Sequence, residues 1–169
     1  NRAIAYQGNV VNALGETISQ IFVADLPDDL LQQAQDLKIS DNPAERLPIV
    51  DAIKTRRITN LSKGVSPLPR HWLRSSADGQ WIGFLSKENT ETVQLYVVKP
   101  ATGETNQLTN HEFSIDTPFN FSADGKRIAY IADGSVFITE IATKRSVRVT
   151  PKVIGEGQPF GTVVWSNDD

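Results

Sequence analysis

The chain repeats itself. Ser76-Ala77-Asp78-Gly79-Gln80-Trp81-Ile82-Gly83-Phe84-Leu85 returns as Ser122-Ala123-Asp124-Gly125-Lys126-Arg127-Ile128-Ala129-Tyr130-Ile131 about 46 residues later, a period suited to propeller blades rather than helical arrays. Alternation of apolar and polar residues in Arg127-Ile128-Ala129-Tyr130-Ile131 marks a half-buried strand, and the Ser-Ala-Asp-Gly tetrad before it marks a turn. Asp accepts hydrogen bonds from amides ahead of it, and Gly permits the positive φ such turns need. Asp133-Gly134 is a second turn, of the two-residue hairpin type.

Flanking segments repeat as well. Gln94-Leu95-Tyr96-Val97-Val98 with Gln107-Leu108-Thr109 is answered by Val136-Phe137-Ile138-Thr139 with Arg148-Val149-Thr150. Each unit therefore reads as four short strands, A to D. In the first complete unit these are His71 to Ser75, Gln80 to Ser86, Val93 to Lys99 and Thr105 to Thr109. In the second they are Thr117 to Phe121, Lys126 to Ala132, Ser135 to Ile141 and Ser146 to Thr150. Gly161 to Asp168 reads as a further A strand, with Trp165-Ser166 matching Phe121-Ser122. Ala3-Ile4-Ala5-Tyr6 mirrors Arg127-Ile128-Ala129-Tyr130 as a B strand, followed by a C strand at Ser19 to Ala24 and a D strand at Thr55 to Thr59.

The expected fold class is all-β: a partial β-propeller of four-stranded antiparallel blades with a short helical insert, forming one domain over 1–169. It divides into a partial blade at 1–59 (strands B, C, D) with its insert at 28–54, full blades at 60–109 and 110–150, and the first strand of another at 151–169. Within the insert, Asp28-Asp29 precede a helix through Leu30, Leu31, Ala34 and Leu37, and a second helix is expected from Ala44 to Ile53. The insert is expected to cap the blade face that carries the tetrad turns. A chain opening and closing within blades, and lacking Met, is expected to be part of a longer propeller and to self-associate through exposed blade faces or edges.

The run Phe119-Asn120-Phe121-Ser122-Ala123-Asp124-Gly125-Lys126-Arg127-Ile128-Ala129-Tyr130, with Leu-Thr or Val-Thr ending each D strand, resembles the repeat of TolB-like propellers. That repeat also occurs in the propellers of prolyl-oligopeptidase-type peptidases and oligogalacturonate lyases, so the resemblance implies a fold without choosing a function. A narrower likeness rests on Ile21-Phe22-Val23-Ala24-Asp25-Leu26-Pro27, Pro69-Arg70-His71-Trp72-Leu73-Arg74 and Gln107-Leu108-Thr109. These look like the C-terminal part of an uncharacterised bacterial family of TolB-related propellers, whose members are sometimes labelled biopolymer transport proteins. The resemblance implies a bacterial protein and leaves its compartment, cytoplasm or periplasm, unassigned.

With 17 basic and 20 acidic residues the formal charge is −3, which supplies no bulk attraction for nucleic acid. No apolar run approaches the ~20 residues needed to cross a bilayer as a helix, so membrane insertion is not expected. Cys is absent, which removes disulfides and thiolate metal sites.

The D–A and B–C loops share one face, where propellers tend to bind ligands. There Arg70, His71 and Trp72 arrive together, and His111, Glu112 and Asp116 occupy the loop one blade on. Arg with Trp suits a carboxylate or a sugar through forked hydrogen bonds and stacking. The competing expectation is that Trp72 packs between blades and Arg70 joins an ion pair. Two histidines do not make a metal site, so no metal or cofactor is expected. Asp78 with Gly79, Asp124 with Gly125, and Asp133 with Gly134 are read as structural turns.

Gly155-Glu156-Gly157-Gln158-Pro159-Phe160 lacks the third Gly of a dinucleotide loop and precedes a strand, so it reads as a D–A loop. No nucleophile elbow, Walker sequence or zinc-protease helix occurs, and no catalytic residue is assigned. The expected function is a non-catalytic module binding a peptide, protein or carbohydrate through the D–A loop face. The alternative is the propeller portion of a sugar-acid lyase or peptidase.

Overall fold

The computed structural model describes residues 2–35, 37–38, 41–42, 44, 49–68 and 71–166. They form three antiparallel sheets. The first holds β1 (Arg2–Val11), β2 (Thr17–Leu26) and β3 (Lys54–Arg57) in that order. The second holds β4 (Arg74–Ser75), β5 (Ile82–Ser86), β6 (Gln94–Val98) and β7 (Thr105–Gln107). The third holds β8 (Phe119–Phe121), β9 (Arg127–Ala132), β10 (Ser135–Glu140) and β11 (Ser146–Arg148). Each sheet is a meander of neighbours in sequence, which is the blade of a propeller. The chain is a partial β-propeller, nearly all-β.

Residue columns across the strands show that the blades are equivalent. Tyr6, Phe22 and Arg57 stand opposite one another, as do Phe84, Tyr96 and Gln107, and Tyr130, Phe137 and Arg148. In every blade the two aromatic rings stack, with centroids 5.4 to 5.7 Å apart. One residue along, the B-strand position is small each time: Ala5, Gly83, Ala129. The reason is visible at Gly83, where an added Cβ would lie 2.6 Å from the Phe119 ring of the next inner strand. Between the first two blades the corresponding inner residues are Leu73 and Ser75, smaller than Phe119 and Phe121. A cavity of about 350 Å³ remains there, lined in part by Ala5, Val23, Leu73 and Ile82.

The core divides accordingly. Leu95, Val97, Ile115, Phe119, Ile128 and Tyr130 pack between the second and third blades, while Ile21, Val23, Ile82, Phe84 and Val98 pack between the first and second. Inner strands are also tied across blades. Arg74 Nε donates to Asn120 Oδ1 at 3.2 Å, and Asn120 Nδ2 donates to the Val163 carbonyl at 2.6 Å.

Both tetrads close the same way. Ser76 Oγ and Ser122 Oγ each donate 2.6 Å to the Asp two residues on, and each accepts from the amide five residues on at 3.0 Å. The Asp then accepts from the amide of Gln80 or Lys126 at 3.0 Å. These bonds favour the ionised carboxylates, so Asp78 and Asp124 lie below the ordinary Asp range, the serine hydroxyl contributing most. Gly79 and Gly125 sit at φ 69° and 68°. Gly125→Val forces a β-branched residue into that region and brings a Cβ to 3.3 Å from Ser76 Cβ. The expected loss is about 2 kcal/mol, or a melting temperature lower by about 4–8 °C. Thermal unfolding checks it, and an unchanged melting temperature contradicts the turn.

The insert differs from its expectation. A helix forms at α1 (Leu30–Gln35), but it has no buried residue and Leu31 is 79% exposed. Of the second helix expected over 44–53, residues 45–48 lie outside the described residues; 49–53 form no helix, and a single turn closed by the Ile53 amide to the Val50 carbonyl precedes β3. Val50, at 7% exposure, is the insert's buried apolar side chain among those described. The inner strands are shorter than expected as well: β4 holds only Arg74–Ser75, β8 only Phe119–Phe121, and 161–166 forms no strand.

Candidate functional site

On the face carrying the B–C and D–A loops, one clamp of hydrogen bonds recurs in the first two blades. Gln20 Oε1 accepts from Thr59 Oγ1 (2.7 Å) and the Leu61 amide (3.1 Å), while its Nε2 donates to the Leu61 carbonyl (2.6 Å). Gln94 repeats this one blade on. Its Oε1 accepts from Thr109 Oγ1 (2.8 Å) and the His111 amide (2.9 Å), and its Nε2 donates to the His111 carbonyl (3.0 Å). The threonine hydroxyl also accepts the amide of the residue after Gln, Ile21 or Leu95. A Gln in the first half of the C strand thus holds the D–A loop as it leaves the D strand. In the third blade Ser135 takes the Gln position, and Thr150 still accepts from the Val136 amide at 3.0 Å.

These clamps put the loops in place, and they account for His111. Its main chain is held by Gln94, its ring stacks on Phe113 with centroids 4.6 Å apart, and its Nε2 shares a 2.7 Å hydrogen bond with Tyr130 OH. Tyr130 OH also bonds Thr139 Oγ1 at 2.9 Å, which bonds Ser146 Oγ at 2.8 Å. Burial, aided by the Arg148 charge, lowers the His111 pKa, and burial raises that of Tyr130. His111 therefore anchors a loop as a neutral ring.

His71 is 1% exposed, and its Nδ1 shares a 2.7 Å hydrogen bond with Ser66 Oγ. Asp116 lies beside it and favours the cation through its backbone and its charge, but burial is the stronger influence and lowers the pKa. Nε2 finds no partner of acceptable geometry among the described residues. Ser66, His71 and Asp116 are the residue types of a hydrolytic triad. Ser66, however, is 7% exposed, so its hydroxyl is enclosed rather than presented to a substrate from solvent. Trp72 does not pack between blades. It is 60% exposed, with the Arg74 guanidinium 5.9 Å from its ring centroid. Arg70 lies outside the described residues. Glu112 and Asp116 are exposed.

Beside Asp116 the loop face opens into a groove of about 530 Å³ between consecutive D–A loops. Phe113, Asp116 and Thr117 form one wall, and Gln158 and Phe160 the other, with the Asp133-Gly134 hairpin at the margin. Phe160 is 87% exposed. Asp133 and Gly134 have φ of 47° and 69°, the mirror-image turn that suits a tight hairpin. The Asp133 carboxylate accepts from Lys152 Nζ (2.5 Å) and Arg148 Nη2 (2.8 Å), cations that lower its pKa. Asp116 makes no such pair among the described residues. Groove residues Gln158 and Phe160 belong to a loop that carried no site expectation, because its Gly-rich start signals a turn and says nothing of the wall it builds.

No group of three or more His, Asp or Glu placed to hold a metal occurs among the described residues, and no described helix is long and apolar enough to cross a membrane. No family model matches the chain. It is 28% identical over 142 residues to the uncharacterized protein YidR of Escherichia coli (strain K12), covering 80% of this chain and 34% of YidR. The chain thus spans about a third of that relative's length. Among solved structures it is similar to an oligogalacturonate lyase from Vibrio parahaemolyticus, with TM-score 0.47 and 12% identity over 95% of this chain and 33% of that one. It is also similar to TolB from Acinetobacter baumannii, with TM-score 0.44 and 16% identity over 88% of this chain and 46% of that one. Such likenesses concern the propeller fold alone.

Proposed function

We propose that the chain is part of a non-catalytic, TolB-related propeller module that binds a peptide, protein or carbohydrate through its D–A loop face. The observation that carries this reading is the groove between the 113–117 and 158–161 loops, which the exposed Phe160 ring and the exposed Asp116 carboxylate both line. Aromatic surface with a few directed polar groups is the common composition of a recognition site. Both histidines of this face are engaged in holding loops, and the Ser66 hydroxyl is enclosed. That leaves contact surface and no assembled acid, base or nucleophile among the described residues. With Asp116 in the wall, a cationic peptide is the favoured ligand class, and Trp72 offers a second exposed ring for a sugar or an aromatic side chain.

Amide NMR titration with tetralysine and, separately, digalacturonate tests the reading. Tetralysine is expected to shift resonances of 113–117 and 158–161, and Asp116→Asn with Phe160→Ala to weaken binding about tenfold, equivalent to ~1.4 kcal/mol, at unchanged melting temperature. Absence of shifts at these loops with either probe refutes the site. Cleavage of digalacturonate to an unsaturated product establishes the lyase alternative instead.

A further inference from the structure

His71 joins three segments of the chain. Its carbonyl accepts from Gln7 Nε2 of β1 at 3.3 Å, its amide donates to the Leu68 carbonyl at 3.2 Å, and its Nδ1 shares the 2.7 Å hydrogen bond with Ser66 Oγ. The third segment is the next D–A loop, where Asp116 favours a proton on the ring through both its main chain and its charge. The ring is 1% exposed, and its Nε2 has no partner among the described residues. A buried polar atom left unpaired is destabilising, so the tautomer matters. With the Ser66 hydroxyl donating to Nδ1, the neutral ring carries its proton on Nε2, the nitrogen left to meet Asp116. A second proton, on Nδ1, requires only that the Ser66 hydroxyl rotate and accept instead of donate.

We propose that the loop-face groove is a proton-linked site, in which a cationic ligand and a proton on His71 compete for the charge of Asp116. This deepens the reading of the groove as a recognition site and rests on it. Asp116 lines the groove and is held between two fixed neighbours. The Ile115 amide donates to the Val93 carbonyl at 2.9 Å, and Thr117 Oγ1 donates to the Ile131 carbonyl at 2.7 Å. Asp116 therefore stays near the His71 ring whether or not the groove is filled, and the coupling passes through charge rather than through movement of the loop. A positive ring offsets the charge that attracts the ligand. By reciprocity, a bound cation disfavours the proton on His71.

Among the described residues Asp116 is the charge that acts on the ring. Gln7, Ser66 and Leu68 present neutral groups to His71. Arg74, three residues on, is turned to Asn120 Oδ1 and to the Leu73 carbonyl, and Arg70 lies outside the described residues. Burial outweighs Asp116 and lowers the His71 pKa, so the ring takes up its proton below the ordinary value of ~6.5. The site is then strongest at neutral pH and weakens as the pH falls. His111 titrates in separate surroundings, bonded to Tyr130 OH and acted on by Arg148.

Tetralysine affinity of the 169-residue chain, measured by calorimetry from about pH 8 to about pH 5 beside nitrogen NMR of the two imidazoles, tests the link. Over that range Lys (~10.4) stays charged and an ordinary Asp (~3.9) stays ionised. At the upper limit the neutral His71 ring is expected to carry its proton on Nε2. The affinity should fall about fivefold or more as His71 titrates, and saturating tetralysine should lower the His71 midpoint. Asp116→Asn is expected to abolish the pH dependence of whatever affinity remains, and His71→Gln to abolish it as well. If His71→Gln does not fold, the ring spectra and Asp116→Asn decide the matter. Constant affinity while His71 titrates, or a pH dependence that follows His111 or survives Asp116→Asn, overturns the proton link and leaves the groove standing. A His71 ring still neutral at the lower limit overturns it too. No tetralysine binding at any pH removes the groove reading itself, and the link with it.

Discussion

Tyr130→Ala is expected to lower the unfolding free energy by about 3–5 kcal/mol, the range for deleting a buried aromatic ring, and the melting temperature by roughly 6–20 °C. The ring is fully buried at the centre of the second interblade core, stacked on Phe137 at 5.7 Å. Its removal leaves a cavity that the flanking sheets cannot close, because Ile128 is paired on both sides, with Phe121 and Thr139, and Leu95 is paired with Leu85 in the neighbouring sheet. The hydroxyl adds a separate contribution, since it bridges His111 Nε2 and Thr139 Oγ1. Tyr130→Phe keeps the packing and drops only that bridge, for about 1–2 kcal/mol. Chemical denaturation of both variants separates the two parts. A Phe variant as unstable as the Ala variant would mean that the hydrogen-bonded chain to the D–A loop, rather than the ring, dominates.

The blade repeat was readable in sequence because strand alternation and turn chemistry are local. Ile128, Ala129 and Tyr130 need only their neighbours and the Ser122 to Gly125 turn to declare a B strand, and the structure places them in β9. Inner strands are a different matter. Whether 161–166 is a strand depends on a partner elsewhere, so its alternation alone does not make it one. His71 to Ser75 reads as an A strand, yet Val65 bridges Ser86 first and β4 begins only at Arg74. The helix expected over 44–53 followed from the break at Asn42-Pro43; 49–53 form a single turn instead, and 45–48 lie outside the described residues. At the candidate site, exposure was the unreadable quantity. Nothing in Arg70-His71-Trp72 says that the imidazole turns inward to Ser66 while the indole stays in solvent. Gln20 with Thr59 and Gln94 with Thr109 were visible as residues, but their clamp spans 39 and 15 positions, and a contact of that separation is set by the fold.

That clamp carries the second large effect. Gln94→Leu keeps the volume nearly constant and removes every bond the amide makes. His111 loses the acceptor for its amide, its carbonyl and that of Phe113 lose a donor, and Thr109 Oγ1 loses its acceptor. Unpaired buried groups cost about 1–3 kcal/mol each, partly recovered where water reaches the loop, so the expected loss is about 2–4 kcal/mol. Gln20→Leu is the matched change one blade earlier and should cost a similar amount, since it strips Leu61 and Thr59 of the same contacts. Ser135→Ala, at the corresponding position of the third blade, loses one bond from Arg148 and should cost less than either. Hydrogen exchange gives the distinguishing readout. In Gln94→Leu the amides of 109–115 should lose protection while β9 and β10 keep theirs, because those strands pair without help from the loop. Loss of protection spread evenly over all three blades would show instead that Gln94 supports the whole sheet and that the D–A loop is not held as a separate unit.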